Sequence, residues 1–289
     1  MTTETEYSLK VDGADGLRLV GDTWGQKPWD AVLLHGGGQT RQAWGRTPER
    51  LRQLGLSVLN VDLRGHGESP WDPEGRYSFR DHARDLVANL AEGHPTILIG
   101  ASLGGVTSLG AGLLAPERIR AIVLVDIAPT MQRTGVARIV GFMQANPDGF
   151  ESLTDAHKAV AAYLPHRQGR TVDSLKRNLR HSNRTGRWTW HWDPRTLDFA
   201  HEAWYQRQTE DMTAAVRALD VPIILVRGEF SDVILAEDVE RFLALGPHTR
   251  HVEVPEARHM VAGDENDTFL NQIVSELNSS VPGFPCPGG

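Results

Sequence analysis

The stretch Thr96-Ile-Leu-Ile-Gly-Ala-Ser-Leu-Gly-Gly105 decides the fold of this chain. Its apolar beginning, Thr96–Ile99, has the length and composition of a buried strand. The pattern Gly-x-Ser-x-Gly follows at residues 100–104, and Leu103–Ala115 is a helix candidate. A serine on such a sharp strand-to-helix turn exposes its hydroxyl at the sheet edge, so we interpret Ser102 as a nucleophile. A glycine-rich turn that binds phosphate is the alternative.

Short apolar runs of strand length recur on both sides of this turn. They are Ala31–Leu34, Val58–Val61, Ile97–Ile99, Ala121–Val125, Ile223–Val226 and His251–Val254. Further helix candidates lie between the first of them, at Gln42–Leu54 and Phe79–Glu92. Alternating strands and helices predict a parallel sheet with helices on both faces. Near the start, Tyr7–Val11 and Leu17–Trp24 alternate in polarity around Asp-Gly turns, which predicts a β-hairpin.

The alternation of strands and helices stops after Asp126 and resumes at Asp220. Residues 131–212 contain no strand-like run and are helical in character, and an interruption of roughly eighty residues is far longer than an ordinary loop. We predict that they form a helical cap over the carboxyl edge of a core formed by residues 1–130 and 213–280. A separate second domain is the alternative. Residues 281–289 hold three prolines and three glycines, which predicts a disordered tail.

A nucleophilic serine needs a base, and the base needs a carboxylate that orients it. His259 follows the last predicted strand, and Asp232 follows Ile223–Val226. Because the carboxyl ends of parallel strands meet at one edge, both residues are expected near Ser102. The chain order Ser102, Asp232, His259 is the order expected for this fold. Glu229 and Asp126 are the alternative acids.

The run His35-Gly36-Gly37-Gly38 follows the strand Ala31–Leu34. Acyl transfer requires two N–H donors for the oxyanion of the tetrahedral intermediate. We expect the N–H of Leu103, directly after the nucleophile, to be one donor and the N–H of Gly37 to be the other. Gly36 and Gly38 are then candidate substrate contacts. A plain flexible loop is the alternative.

Composition limits the possible partners and locations of the protein. The formal net charge of −7 disfavours nucleic acid and anionic membranes. The first residues lack a basic and apolar signal pattern, and no apolar run approaches about 18 residues, so we predict a cytoplasmic protein with no membrane partner. The single cysteine excludes an internal disulfide. No H-x-x-x-H or C-x-x-C spacing occurs, so no metal site is predicted.

Five motifs in chain order resemble the α/β-hydrolase superfamily: HGGG, DLRGHGES, GASLGG, RGEFSD and PEARHM. The resemblance covers about Tyr7 to Leu277 and is weakest in the predicted cap. It is strongest to the capped bacterial serine hydrolases, which include esterases, lactonases and C–C bond hydrolases. It implies an eight-stranded, mostly parallel sheet with a cap inserted after the sixth strand, a substrate pocket beneath the cap, and no cofactor. Ala101 before the nucleophile and Arg258 before His259 depart from the common pattern.

We therefore predict a serine hydrolase that cleaves a carboxylic ester or lactone of a small apolar or aromatic molecule. Trp188, Trp190 and Trp192 are candidates for the pocket wall, although packing inside the cap explains them equally well. Asp126 is a candidate substrate-facing carboxylate. One alternative is hydrolysis of a C–C bond in a vinylogous diketo acid, whose carboxylate would need a cationic site from Arg184, Arg187 or Arg195. Another is a ligand receptor that does not turn over. The oligomeric state is left open.

Overall fold

One twisted sheet organises the protein, whose computed structural model describes residues 7–164, 172–197, 202–257 and 266–285. In chain order the strands are β1 (Tyr7–Asp12), β2 (Arg18–Trp24), β3 (Ala31–Leu34), β4 (Val58–Asp62), β5 (Thr96–Ala101), β6 (Ile119–Val125), β7 (Leu179–His181), β8 (Trp188–Trp190), β9 (Ile223–Gly228) and β10 (Thr249–Val254). The main sheet has eight strands in the order β1-β2-β4-β3-β5-β6-β9-β10.

The direction of the strands decides where functional groups collect. The β1–β2 and β2–β4 pairs are antiparallel, and all neighbours from β4 to β10 run parallel. The eight-stranded, mostly parallel sheet that the sequence predicts is therefore confirmed. Because the carboxyl ends of β3, β4, β5, β6, β9 and β10 lie at one edge, the loops after these strands converge there.

Helices cover both faces of the sheet. The helices of the described residues, including those of the insertion, are α1 (Thr47–Gln53), α2 (Phe79–Val87), α3 (Leu103–Leu114), α4 (Arg133–Gln144), α5 (Leu153–Tyr163), α6 (Glu202–Ala218), α7 (Ala236–Leu243) and α8 (Asn266–Ser280). Successive strand residues point to opposite faces, so Leu34 packs in the cluster under α2, α3, α6 and α7, whereas Leu33 packs with α1 and α8. Both side chains are fully buried.

The insertion predicted after the sixth strand lies between β6 and β9 and contains α4, α5 and most of α6. It also contains a feature that was not predicted, the antiparallel pair β7–β8. Trp188-Thr-Trp190 alternates and is rich in residues that favour strands, but three residues are too few to distinguish a strand from a loop by pattern. The helix α6 crosses the predicted boundary at residue 212, because Met212, Ala215 and Val216 pack into the core of the sheet.

The predictions for residues 42–54 and for the tail from residue 281 also differ from the structure. The helix expected at Gln42–Leu54 is divided into a 3₁₀ turn, Arg41–Trp44, and α1, because Gly45 takes a φ of 50° between them. The tail expected to be disordered from residue 281 is ordered at its start. Val281 and Phe284 are buried against the face that carries α8, and apolar burial explains their order despite the neighbouring prolines. Residues 286–289 lie outside the described residues.

The described part of the chain was also searched for membrane spans. None of its helices combines the length and the apolar character that crossing a bilayer requires.

Candidate active site

Ser102 sits on a strained turn between β5 and α3. Its φ of 46° and ψ of −110° lie outside the regions that an L-residue normally adopts. Glycines make the turn possible, because a Cβ atom on Gly104 would lie 2.1 Å from the Leu34 carbonyl oxygen and one on Gly100 would lie 2.3 Å from the Gly104 carbonyl carbon. The GASLGG motif therefore encodes a close approach of α3 to the sheet, with the serine at its apex.

The HGGG loop lies directly against this serine. A Cβ atom on Gly36 would be 3.5 Å from the Ser102 Cβ, whereas one on Gly37 would meet nothing within 4 Å. Leu103 is the first residue of α3, so its N–H belongs to the positive end of the helix dipole. Among the described residues, neither the Gly37 N–H nor the Leu103 N–H donates a hydrogen bond. Two backbone donors, one next to Ser102 in the chain and one next to Gly36, thus have no acceptor among the described residues.

His35 is buried and structural. Its Nε2 accepts a hydrogen bond from the Leu63 N–H at 3.0 Å, which leaves Nδ1 to carry the proton and donate to the Gly36 carbonyl oxygen at 2.8 Å. Burial lowers the pKa of His35 to about 4, so the ring is neutral at pH 7. With both ring nitrogens engaged, His35 fixes the first turn of the HGGG loop and has no free nitrogen for proton transfer.

Asp126 lies next to Ser102 at the sheet edge. Its backbone N–H donates to the Val226 carbonyl oxygen at 2.8 Å. The Ser102 N–H donates at 3.2 Å to the carbonyl oxygen of Val125, the residue before Asp126. The Asp126 side chain is fully buried, and its Oδ2 accepts a hydrogen bond from the Ser231 hydroxyl at 2.8 Å. Its φ of 49° is a second strained position beside the serine.

The other two candidate acids have different surroundings. Asp232 is about half exposed, at 51%, and its Oδ2 forms an ion pair with Arg138 of α4 at 2.7 Å. The Glu229 carboxylate accepts a hydrogen bond from the Glu256 N–H at 2.9 Å, which fixes the turn after β10. Asp232 therefore joins the core to the insertion, and Glu229 shapes the chain that leads toward residue 259.

The predicted base, His259, and the neighbouring Arg258 lie outside the described residues. The described segment before them ends at Ala257, three residues after β10, and the Phe230 N–H donates to the Ala257 carbonyl oxygen at 2.9 Å. That hydrogen bond holds residue 257 beside the loop after β9.

The tryptophans of the insertion pack with one another and with its other apolar residues. Trp190 and Trp192 are almost fully buried and stack with their ring centroids 4.7 Å apart. Trp188 is partly buried against the same cluster. Packing of the insertion thus accounts for all three rings, and their contact with substrate remains a prediction. A different residue of this cluster reaches the site: the end of the Met143 side chain would lie 2.9 Å from a Cβ atom on Gly38.

Sequence reasoning missed two residues that support the site. Gln39 accepts the Gly36 N–H through its Oε1 at 3.0 Å, and the Ser231 hydroxyl holds Asp126 while accepting the N–H groups of Val233 and Ile234. Gln39 follows the HGGG motif directly, so its position was a usable signal. No feature of the sequence indicated Ser231, because only the fold brings it to Asp126. The described residues contain no group of three or more side chains suited to hold a metal ion.

Comparisons with protein families, known sequences and solved structures all find similarity to hydrolases. A family model described as "Alpha/beta hydrolase family" matches residues 31–272. The chain is 32% identical over 273 residues to Esterase Rv0045c of Mycobacterium tuberculosis, covering 89% of this chain and 85% of that protein. It is 30% identical over 228 residues to 2-(acetamidomethylene)succinate hydrolase of Mesorhizobium japonicum, covering 78% and 79%. The crystal structure of E-2-(acetamidomethylene)succinate hydrolase superposes with a TM-score of 0.75 at 26% identity, covering 95% of this chain and 100% of that chain.

Proposed function

The chain belongs to the alpha/beta hydrolase family, and from that premise we propose that it hydrolyses a carboxylic ester or lactone with Ser102 as the nucleophile. One observation carries the proposal. Ser102 is held at a φ of 46° at the start of α3, with the HGGG loop against it. Strain of this kind is retained where the surrounding structure and the function require it.

We assign the orienting acid to Asp126 instead of Asp232. A triad carboxylate works when it is buried and held in one orientation, because it must stabilise an imidazolium and fix its tautomer. Asp126 is fully buried and fixed by Ser231, whereas Asp232 is half exposed and neutralised by Arg138. Asp126 also follows β6, which neighbours the strand that carries Ser102.

The base is His259, on the strength of its place in the sequence after β10. The buried histidines of this edge are engaged elsewhere: His35 bonds the Gly36 carbonyl and the Leu63 N–H, and His66 contacts the Arg64 carbonyl at 3.1 Å. Burial also lowers the pKa of His66 to about 3, so it is a weak base. Neither ring is available to accept the Ser102 proton.

In the proposed cycle, His259 removes the proton of the Ser102 hydroxyl as the oxygen attacks the substrate carbonyl carbon. The Gly37 and Leu103 N–H groups stabilise the oxyanion, and His259 returns the proton to the alcohol that leaves. Water then attacks the acyl-enzyme through the same steps and releases the acid. For a lactone, the leaving alcohol stays attached to the acid product.

The ester is preferred over the C–C bond of a diketo acid because two of the three candidate arginines already have structural partners. Arg187 donates to the carbonyl oxygens of Asp148 and Gly149, and Arg195 pairs with Asp193. Both arginines hold the structure of the insertion. The similarity to a protein named as an esterase supports the same preference.

The decisive experiment is labelling with a fluorophosphonate probe, followed by intact mass measurement of wild type and Ser102→Ala. We expect one adduct on wild type and none on the variant, together with repeated turnover of short-chain p-nitrophenyl esters. Folded wild-type protein that takes up no probe would refute the nucleophile. An adduct without ester turnover would refute the esterase activity and leave only a reactive serine.

A further inference from the structure

Gln39 and Gly36 are joined by two hydrogen bonds that run in opposite directions. The Gln39 N–H donates to the Gly36 carbonyl oxygen at 3.1 Å, and the Gly36 N–H donates to the Gln39 Oε1 at 3.0 Å. The first bond closes a four-residue turn, with Gly38 at a φ of 71° in its third position. The second bond adds a side-chain closure to the same turn.

This closure lies beside the nucleophile. The position of a Cβ atom on Gly36 is 3.0 Å from the Gln39 Oε1 and 3.5 Å from the Ser102 Cβ. The orientation of the Gln39 amide is also determined, because a backbone N–H can only donate and must therefore face the amide oxygen. The half-buried Gln39 thus presents an acceptor to the loop at the point where the loop meets Ser102.

The bond decides which backbone donor of the loop is available. The Gly36 N–H is occupied by Gln39, whereas the next N–H, that of Gly37, is not used by any described residue. Three consecutive glycines have many accessible backbone conformations, so such a loop needs contacts that select one of them. His35 fixes its beginning and Gln39 closes its end.

We infer that Gln39 is a positioning residue that holds the Gly37 N–H toward Ser102 as the oxyanion donor. The inference rests on the proposed function of the serine. Gln39 acts through the loop and does not touch the reacting atoms. Without its acceptor, Gly36 would lose its hydrogen bond and the three glycines would sample conformations in which the Gly37 N–H points elsewhere.

The test compares Gln39→Met with Gln42→Met. Methionine keeps the length of glutamine and removes the acceptor. Gln42 is the control, because it lies in the 3₁₀ turn just after the loop and its amide donates to Asp22 at 3.3 Å instead of to the loop. For a short p-nitrophenyl ester we expect Gln39→Met to lower kcat between about 10-fold and 100-fold with KM within about threefold, since loss of a single oxyanion donor typically lowers kcat by 10²–10³. We expect Gln42→Met to keep the kcat of wild type.

A second measurement does not depend on activity. Hydrogen exchange followed by NMR reports the Gly36 amide directly, and we expect Gln39→Met to exchange it at least about tenfold faster while Gln42→Met leaves it protected. Unchanged protection of Gly36 in Gln39→Met, or an equal fall of kcat in both variants, would overturn the inference. If wild type fails to label at Ser102, the proposed function fails, and the exchange rate of Gly36 still decides the role of Gln39 in the loop.

Discussion

Backbone strain is concentrated at the ends of strands that reach the candidate site. Among the described residues, four non-glycine residues have positive φ: Asp15, Ser102, Asp126 and Glu256. The last three directly follow or closely follow β5, β6 and β10, at the edge where the loops converge. Such conformations cost about 1–3 kcal/mol each, so their coincidence at one edge is best explained by function.

At the residue scale, the choice between Asp126 and Asp232 gives the first prediction. We expect Asp126→Asn to lower kcat by about 10³–10⁴, because an amide in this position favours the wrong tautomer of the base. Asp232→Asn removes only an exposed ion pair with Arg138, worth about 0–1 kcal/mol, so we expect less than about a fivefold effect. The measurement is kcat of both variants and of wild type on the same ester, determined by steady-state kinetics.

Thermal unfolding of both variants is the control, because Asp126 is buried and its replacement could weaken the fold. A large loss of kcat in Asp232→Asn with a small one in Asp126→Asn would restore Asp232 as the orienting acid. Equal losses in two stably folded variants would show that neither carboxylate acts alone.

At the scale of elements, α4 is the helix of the insertion that meets the HGGG loop. It begins beside the loop after β9, where the Gln132 N–H donates to the Val233 carbonyl oxygen at 2.8 Å. Near its end, Met143 is 8% exposed and rests on Gly38, which has no side chain to displace it. A flexible, polarisable side chain thus fills the space beside the HGGG loop.

We predict that Met143→Ala shifts the preference of the enzyme toward longer acyl chains. The ratio of kcat/KM for an octanoyl ester to that for a butyryl ester should rise at least about fivefold, since pocket contacts of one methylene are worth about 1–3 kcal/mol. A series of p-nitrophenyl esters measures the ratio. Met212→Ala is the control, because Met212 is also buried but lies in α6 and packs into the core of the sheet.

Both variants delete a buried methionine and should lose about 2–5 kcal/mol of unfolding free energy. The dependence of kcat/KM on acyl-chain length distinguishes the two variants. An unchanged profile in Met143→Ala, or the same shift in Met212→Ala, would exclude Met143 as a determinant of substrate size.

At the scale of the whole molecule, the insertion is held on the sheet by polar contacts with the DLRGHGES turn and the segment after it. The Gly67 N–H donates to His191 Nδ1 at 2.7 Å, the Tyr77 hydroxyl donates to Asp193 at 2.6 Å, and the Trp71 indole N–H donates to the His191 carbonyl oxygen at 3.0 Å. His191, His66 and His35 form a cluster of buried imidazole rings. The ring centroids are 5.9 Å apart for His191 and His66 and 5.2 Å apart for His66 and His35.

This cluster predicts that the protein loses stability in mild acid. Burial lowers the pKa of His35 to about 4 and of His66 to about 3, and it lowers the pKa of His191 as well. In the unfolded chain the histidine pKa is near 6.5, so the unfolded state binds more protons below that pH. The stabilisation is complete above about pH 6.5 and falls as the pH drops toward the folded pKa values, by about 2 kcal/mol per histidine at pH 5.

Urea unfolding between pH 7.5 and pH 5 measures this slope. We expect His35→Gln to flatten this dependence of the unfolding free energy on pH. Asp62, Asp193, Arg64 and Arg180 are among the charged side chains that face the cluster. A slope in His35→Gln identical to that of wild type would contradict a neutral, buried His35.

The sequence by itself determined the sheet and the position of the strained turn that carries Ser102. Runs such as Ala31–Leu34 and Ala121–Val125 are apolar at every position, which is typical of a strand that is covered on both faces of the sheet. The alternation of these runs with helices predicted that the strands pair in parallel. GASLGG is likewise local, because its glycines and serine form one turn within six residues. The site residues drawn from these motifs stay predictions until the variants are measured.

Only the tertiary structure decided the partners that are distant in the sequence. Ser231 reaches Asp126 across 105 positions and Arg138 reaches Asp232 across 94, and these contacts distinguish two carboxylates that look equivalent in the sequence. The pairing of β7 with β8 and the burial of Phe284 were also visible only in the tertiary structure. The physical reason is that periodicity and turn chemistry report on neighbours along the chain, whereas burial and charge pairing depend on groups that meet only after folding.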